Sequence, residues 1–278
     1  QQTMSTDLHP TAKGYHNKET TDAYVKGRPN LPLETIDFIK NNLNLNANSL
    51  IVDLAAGTGK FTELLAGYGG FNNITAVEPS PEFRQACTDI LEGLIKKGRS
   101  ELKYSVVDGL ATKIPLADQS VDAMFVSQAF HWFDSEASLR EMTRVLKPGA
   151  PLVMVWCDMD VTNHLVRASA DIFHEKYYDN KTPQFRSFKW EAAFENPAIA
   201  NLLELPLKLQ KYKFMHHYTR ESLGNRVMSI SYISLLSDAQ KKHLLEEINQ
   251  ELDKFPETLN NQQFEYPYNV YLYYTTKK

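Results

Sequence analysis

A glycine-rich segment in the first third of the chain has the residue types and spacing of a nucleotide-binding turn. Its sequence is Asp53-Leu54-Ala55-Ala56-Gly57-Thr58-Gly59-Lys60, directly after an apolar run and before a helical pattern. Glycines permit a tight turn and let a ligand approach the backbone, and the first turn of a helix offers N–H groups that lack a partner within the helix. Glu78 lies 21 positions after Gly57, at the end of the next predicted strand. An acid at that place can accept hydrogen bonds from both hydroxyls of an adenosine ribose.

Three kinds of nucleotide-binding site could contain a turn of this kind. A Walker phosphate loop requires glycine where Leu54 stands and Ser or Thr where Phe61 stands. A dinucleotide fingerprint requires Gly or Ala at the place of Thr62. Asp53 lies inside the first strand, where its charge would repel a diphosphate and hold a ligand with a cationic amine or sulfonium. The sign of that charge favours S-adenosylmethionine (SAM) over NAD.

A second group of candidate side chains follows the fourth predicted strand, at the carboxyl edge where open α/β sheets bind ligands. His131 could act as a general base for a hydroxyl, donate a hydrogen bond to a substrate, or fix the loop. Phe130, Trp132 and Trp156 could form an aromatic wall around a sulfonium through cation–π attraction, or fill the core. His131 and Trp132 are the predicted catalytic residues, and Phe130 and Trp156 are predicted substrate contacts.

The N-terminal segment carries three further candidates for substrate contact. Tyr15 and Tyr24 are predicted to belong to a lid, and Arg28 either binds a substrate carboxylate or pairs with an acid of the sheet. The helical pattern of residues 220–254 is too long for a connection between strands, which typically has about 2–6 residues. We therefore expect these two segments to form a cap over the site.

Strands alternate with helical patterns in the part of the chain that carries the glycine-rich turn, which is typical of a parallel α/β sheet. The second helix is predicted to begin with Ser80 as its N-cap and Pro81 at its first position. The first five strands are apolar enough to be buried on both faces. The predicted strands cover residues 50–54, 74–77, 102–107, 121–126, 151–156, 207–216 and 264–274.

These elements predict an α/β fold: a Rossmann-like, seven-stranded, mostly parallel sheet with helices on both faces and a helical cap. A single domain is predicted over residues 1–278. Its ligand-binding core spans about 46–160, and the cap comes from about 1–45 and 217–258.

The composition excludes several classes of partner. The formal net charge of −4 disfavours nucleic acid, which usually requires a basic patch. Cys87 and Cys157 lack the spacing of metal ligands, so no metal is predicted. No apolar stretch reaches the ~18–20 residues of a membrane helix and no signal peptide opens the chain, which predicts a cytoplasmic protein without membrane contact. We expect a monomer or homodimer with a small-molecule substrate.

Residues 50–156 resemble the class I SAM-dependent methyltransferases, in the branch often called type 11. The turn from Asp53 to Gly59 matches the first motif of that family, although the family more often has Gly-Cys where this chain has Ala55-Ala56. Glu78-Pro79-Ser80 matches its second motif, and Asp108-Gly109 resembles the position that contacts adenine. The resemblance implies ten cofactor-binding residues, namely Asp53, Ala55, Gly57, Gly59, Glu78, Pro79, Asp108, Gly109, Ser127 and Gln128.

The loop after the fourth strand resembles one particular group of enzymes within that family. The segment Ser127-Gln128-Ala129-Phe130-His131-Trp132-Phe133-Asp134 is similar to a segment of fungal small-molecule methyltransferases, such as trans-aconitate methyltransferase. Tyr24-x-x-x-Arg28-Pro29 also resembles that branch. A methyltransferase of DNA bases would instead carry Asn/Asp-Pro-Pro-aromatic after this strand. The resemblance implies methylation of a small molecule with SAM as cofactor, first of an acid or hydroxyl oxygen and next of nitrogen or sulfur. An NAD(P)-dependent oxidoreductase and a catalytically silent SAM-binding protein are the alternatives.

Overall fold

The computed structural model describes residues 31–260 and 262–278, and its strands form one sheet of seven in the order β3-β2-β1-β4-β5-β7-β6. The strands are β1 (Leu50–Leu54), β2 (Asn73–Val77), β3 (Lys103–Val107), β4 (Ala123–Ser127), β5 (Pro151–Met159), β6 (Lys208–Tyr218) and β7 (Phe264–Thr276). The described helices of seven or more residues are α1 (Leu33–Asn42), α2 (Lys60–Ala66), α3 (Pro81–Lys96), α4 (Glu136–Val145), α5 (His164–Asp171), α6 (Arg220–Met228) and α7 (Asp238–Leu252). Shorter helical turns lie at Phe130–Trp132, Ile172–Lys176, Phe185–Ser187, Lys189–Phe194, Pro197–Ala200, Ser231–Ser234 and Pro256–Thr258.

The order of the strands creates a crevice beside β1. From β1 the chain moves outward through β2 and β3, and it then returns to place β4 on the other side of β1. Asp53 of β1 is in parallel register with Ala76 of β2 and with Phe125 of β4. Open α/β sheets bind ligands where the strand order reverses in this way, at the carboxyl ends of the strands. The fold therefore places the ends of β1 and β4 side by side at the predicted site.

Helix α3 shows how the local sequence determines an element of this sheet. The Oγ of Ser80 accepts a hydrogen bond from the N–H of Phe83 at 3.3 Å, and proline occupies the first turn. The N-cap prediction at Ser80 is therefore confirmed. Cys87 and Leu91 continue the buried stripe that begins at Phe83 and packs the helix on the sheet.

The later strands complete a mixed sheet. The hydrogen bonds of Lys277 with Ala150 and of Asp160 with Pro267 show that β7 runs antiparallel to β5. The prediction of a seven-stranded, Rossmann-like α/β sheet is confirmed. The prediction that the first five strands are buried on both faces is wrong for β3, where Lys103 and Ser105 are exposed. The reason is that β3 lies at the edge of the sheet.

Contacts divide the described chain into two compact units. The larger unit comprises residues 31–157, 184–212 and 270–278, and it contains β1 to β4 with α1 to α4. Its core is a buried apolar cluster that includes Val52, Met124 and Trp156. The prediction of one domain with a helical cap is not tested by this division and stays a prediction.

The smaller unit comprises residues 158–183, 213–260 and 262–269, and it contains α5 to α7. Its interior holds buried tyrosines whose hydroxyls are hydrogen-bonded, as buried polar groups must be. Tyr218 pairs with Tyr268 at 2.8 Å, and Tyr266 pairs with Ser169 at 2.8 Å. None of the helices that the structure describes has the length and apolar character needed to cross a bilayer.

Candidate cofactor and acceptor site

The turn after β1 has a left-handed backbone at three positions. Ala55, Gly57 and Gly59 have φ angles of 57°, 58° and 87°. A left-handed conformation costs an L-residue about 1–2 kcal/mol, so the backbone of Ala55 is strained. The N–H of Ala56 donates to the carbonyl of Val77 at 3.2 Å and joins the turn to the end of β2.

Gly57 and Gly59 meet different surroundings. A Cβ added at Gly57 would have no described atom within 4 Å, whereas at Gly59 it would lie 2.7 Å from the Sγ and 2.9 Å from the Cα of Cys87. Gly59 is therefore required for the close packing of the start of α2 on α3. Gly57 borders open space that a ligand could occupy. The sequence interpretation gave both glycines a ligand role, and the open space beside Gly57 supports that role at Gly57.

Glu78 connects the two motifs. Its buried carboxylate accepts hydrogen bonds from the N–H of Gly57 through Oε2 and from the N–H of Ser80 through Oε1, both at 2.9 Å. Each carboxylate oxygen has a second lone pair, so the group retains the capacity to accept from hydroxyl donors. Burial raises the pKa of Glu78 to about 7, although the two backbone hydrogen bonds and Arg84 oppose that rise.

Arg84 holds the turn after β2 in place. Its guanidinium donates to the carbonyls of Glu78 and Pro79, both at 2.8 Å, and lies 3.5 Å from the exposed carboxylate of Asp108. Pro79 is half-buried beside it. A Cβ at Gly109 would lie 2.7 Å from Pro115, so glycine there serves packing. Sequence reasoning missed Arg84, which lies six positions after Glu78.

Asp53 is fully buried, as expected for the first strand of a sheet that is covered on both faces. Its Oδ2 accepts a hydrogen bond from the Thr62 hydroxyl at 2.6 Å, and burial raises its pKa to about 7. Thr62 occupies the place where a dinucleotide fingerprint has Gly or Ala. The Oδ1 of Asp53 and the Oγ1 of Thr58 are buried without a hydrogen-bond partner within residues 31–260 and 262–278. Two such oxygens in one motif fit a site that takes hydrogen-bond donors from a ligand.

Ser127 and Gln128 lie at the end of β4, both half-buried. The register of β1 with β4 places them at the same sheet edge as the glycine-rich turn. Gln128 has a φ of 61°, and its N–H donates to the carbonyl of Val155 at 2.7 Å. The structure thus brings the predicted cofactor residues of β1, β2 and β4 to one edge.

The four predicted acceptor residues on or near the loop after β4 differ in how deeply they are buried. His131 and Trp132 are half-buried on the turn Phe130–Trp132. Phe130 is fully buried among aromatic rings, with the Phe194 ring at a centroid distance of 5.4 Å. Trp156 is 1% exposed, and its ring lies 4.7 Å from Phe185 and 4.6 Å from Trp190. Phe130 and Trp156 are core residues, so their placement does not support the predicted substrate contact.

Trp156 nevertheless has a polar contact that the sequence did not reveal. Its indole Nε1–H donates to the Nδ1 of His131 at 3.1 Å. The two residues are 25 positions apart, and their contact depends on the pairing of β4 with β5.

Two further predictions concern the N-terminal substrate contacts and the absence of a metal site. Tyr15, Tyr24 and Arg28 lie outside the described residues. For the residues that are described, no group of three or more His, Cys, Asp or Glu side chains could hold a metal ion.

Comparison with known proteins identifies the family. A model of the methyltransferase domain matches residues 52–154. An uncharacterised methyltransferase-like protein of Schizosaccharomyces pombe is 30% identical over 259 residues, which cover 92% of this chain and 93% of that protein. A candidate type II methyltransferase from Anaeromyxobacter dehalogenans has a similar structure, with a TM-score of 0.63 and 16% identity over 89% of this chain and 97% of that one. The chain belongs to the class I SAM-dependent methyltransferases, and SAM is its cofactor.

Proposed function

We propose that this methyltransferase transfers the methyl group of SAM to an oxygen of a small molecule that carries an acid or hydroxyl group. The observation that carries the proposal is the half-buried imidazole of His131, on the loop after β4 at the sheet edge of Gly57 and Glu78. An imidazole there can hydrogen-bond an acceptor oxygen while the turn after β1 holds the cofactor.

One relative supports oxygen as the acceptor atom. A malonyl-[acyl-carrier protein] O-methyltransferase of Methylococcus capsulatus is 36% identical over 107 residues, which cover 37% of this chain and 35% of that protein. The resemblance of residues 127–134 to fungal enzymes such as trans-aconitate methyltransferase points to the same class of acceptor.

The proposed reaction requires little from the protein beyond placement. SAM supplies an electrophilic methyl group on a sulfonium. Gly57 leaves room for the ligand beside the backbone, and the Glu78 carboxylate is proposed to accept from the ribose hydroxyls. His131 and Trp132 are proposed to orient the acceptor. Holding two reactants close and collinear supplies most of the rate of such a displacement.

The cofactor assignment predicts a selective stabilisation. SAM and S-adenosylhomocysteine should raise the melting temperature, and NAD(H) should not, because Thr62 stands where a dinucleotide fingerprint has Gly or Ala. At a free concentration about 100 times its Kd, SAM should add about 2.7 kcal/mol to the free energy of unfolding. Differential scanning fluorimetry measures both responses. Stabilisation by NAD with no response to SAM would contradict the assignment.

A test of the acceptor class uses transfer of radiolabel from [methyl-14C]SAM. Label should enter carboxylic acids or alcohols and no amines or thiols of the same carbon skeleton. Label in amines alone would favour N-methylation, and binding of SAM without any transfer would favour the silent binding protein.

The net charge predicts a further result. Duplex DNA and RNA should show no tight binding at physiological salt, because a chain with a net charge of −4 offers no general attraction for phosphates. A mobility-shift assay checks this, and tight, salt-sensitive binding would be the contrary outcome.

A further inference from the structure

The loop between β3 and β4 begins with Asp108 and Gly109, the two residues predicted to contact adenine. A Cβ added at Gly109 would lie 2.7 Å from the Cδ of Pro115 and 2.8 Å from the Cγ1 of Val77. The backbone of Gly109 is therefore in close contact with both Pro115 and the end of β2. Proline has no N–H to donate, so the hydrogen bonds of its neighbours hold this part of the loop.

Arg144, near the end of α4, binds the two residues that flank Pro115. Its guanidinium donates to the carbonyl of Ile114 at 3.0 Å through Nη2 and to the carbonyl of Leu116 at 2.9 Å through Nη1. Glu141, on the same helix, accepts the N–H of Ile114 at 2.8 Å through Oε1. Ile114 is thus held at both its N–H and its carbonyl, and its buried side chain belongs to the core of the larger unit.

The hydrogen bonds of Arg144 use all the donors that a guanidinium has. Besides the two carbonyls, it binds Glu141 from Nε at 2.8 Å and from Nη2 at 2.7 Å, and it binds Asp118 from Nη1 at 2.6 Å. Arginine presents its N–H groups in a rigid planar fork, whereas lysine has fewer donors on a flexible stem. The loop is therefore fixed to α4 by an arrangement that lysine can reproduce only in part.

We propose that Arg144 is a positioning residue for the adenine end of SAM: by holding the loop on both sides of Pro115, it sets the position of Gly109. The inference goes beyond the proposed function, because it concerns the cofactor alone and makes no use of the methyl acceptor. It rests on the prediction that Asp108 and Gly109 contact adenine. A carboxylate at Asp108 can accept a hydrogen bond from the N6 amine of adenine, and a displaced loop would weaken that bond.

The helix itself should tolerate a substitution of Arg144, whose side chain is 32% exposed. The packing of α4 depends on buried apolar side chains, namely Leu139, Met142 and Val145. Arg140 offers a matched control, because its Nε pairs with Glu136 inside the same helix at 2.6 Å. Arg144→Met and Arg140→Met each remove one positive charge from α4, and the first of them also removes the hydrogen bonds to the loop.

Hydrogen exchange of the unliganded protein tests the anchoring directly. In Arg144→Met, the amides of residues 108–117 should exchange about 10- to 100-fold faster than in wild type, the range for loss of a hydrogen bond that involves a charged group. Arg140→Met should leave their exchange unchanged. Wild-type protection of this segment in Arg144→Met would overturn the proposal.

Two ligands that differ in their base test the effect on the cofactor site. In S-inosylhomocysteine, a carbonyl oxygen takes the place of the N6 amine of S-adenosylhomocysteine. Because a carboxylate at Asp108 accepts hydrogen bonds, wild type should bind the adenosyl ligand about 10- to 100-fold more tightly. Arg144→Met should reduce this preference by about 10-fold through weaker binding of the adenosyl ligand, and Arg140→Met should retain it. Isothermal titration measures the four affinities.

The ratio of two affinities does not change with the folded fraction, so a general loss of stability would not alter it. A wild-type ratio in Arg144→Met would overturn the proposal. If that variant does not fold, Arg144→Lys takes its place, and its preference should fall by about 3-fold because the lysine makes fewer of the hydrogen bonds. An unchanged ratio in the lysine variant, or no preference in wild type, would also overturn the inference. Methyl transfer to acids or alcohols in the same protein would leave the proposed function standing.

Discussion

Gly59→Ala is expected to lower the free energy of unfolding by about 3 kcal/mol, the sum of left-handed strain and overpacking. The new Cβ would lie 2.9 Å from the Cα of Cys87, so the backbone of α3 itself would have to shift. Chemical denaturation followed by circular dichroism measures the loss. A loss below about 1 kcal/mol would show that α2 and α3 separate more easily than their packing indicates.

Gly57→Ala should instead act on the cofactor. Its Cβ would enter the open space beside the turn, so SAM binding should weaken by about 10- to 100-fold, as expected for 1–3 kcal/mol of overpacking. The left-handed strain of about 1–2 kcal/mol is shared by Gly70→Ala, where φ is 71° and the added Cβ also meets no described atom within 4 Å. That control should bind SAM normally. Equal SAM affinity of the two variants would contradict the ligand role of Gly57.

SAM binding should strengthen as the pH rises through 7. Glu78 has a pKa raised to about 7 in the folded protein, and the ribose hydroxyls that we propose it binds would donate to its ionised form. At pH 6 most of the protein must release a proton to bind, so the affinity should be about 10-fold lower than at pH 8. The unliganded protein should show the opposite trend. A folded pKa above the ordinary 4.5 favours the neutral acid, so the contribution of Glu78 to stability falls as the pH rises from about 4.5 to 7.

Isothermal titration in two buffers of different ionisation enthalpy measures the proton release directly. Glu78→Gln is the matched control, because it keeps the shape of the side chain and removes the titration. It should reduce the pH dependence to the part that Asp53 contributes, since the pKa of Asp53 is also raised to about 7, and it should weaken SAM binding at pH 8 by about 1.5–3 kcal/mol. A wild-type affinity that is the same at pH 6 and pH 8 would show that Glu78 is not the group that titrates on binding.

The sequence predicted those features that depend on neighbouring residues. The glycine-rich turn, the acid after β2 and the cap at Ser80 are local patterns, and the structure contains each of them. The edge position of β3 could not be predicted, because it depends on which strands pair. The tight packing at Gly59 depends on Cys87, and the hydrogen bond that His131 accepts comes from Trp156. Both partners are distant in sequence, and no periodicity brings them together.

The carboxylate of Glu78, at the end of β2, links β2 to the turn after β1. It accepts hydrogen bonds from the backbone N–H groups of Gly57 and Ser80. The turn is therefore ordered before a cofactor arrives, and binding does not have to restrict a flexible loop. Preorganisation of this kind raises affinity by reducing the entropy lost on association. Substitutions that leave the Glu78 bridge intact should consequently change the residence time of SAM and leave its association rate nearly constant.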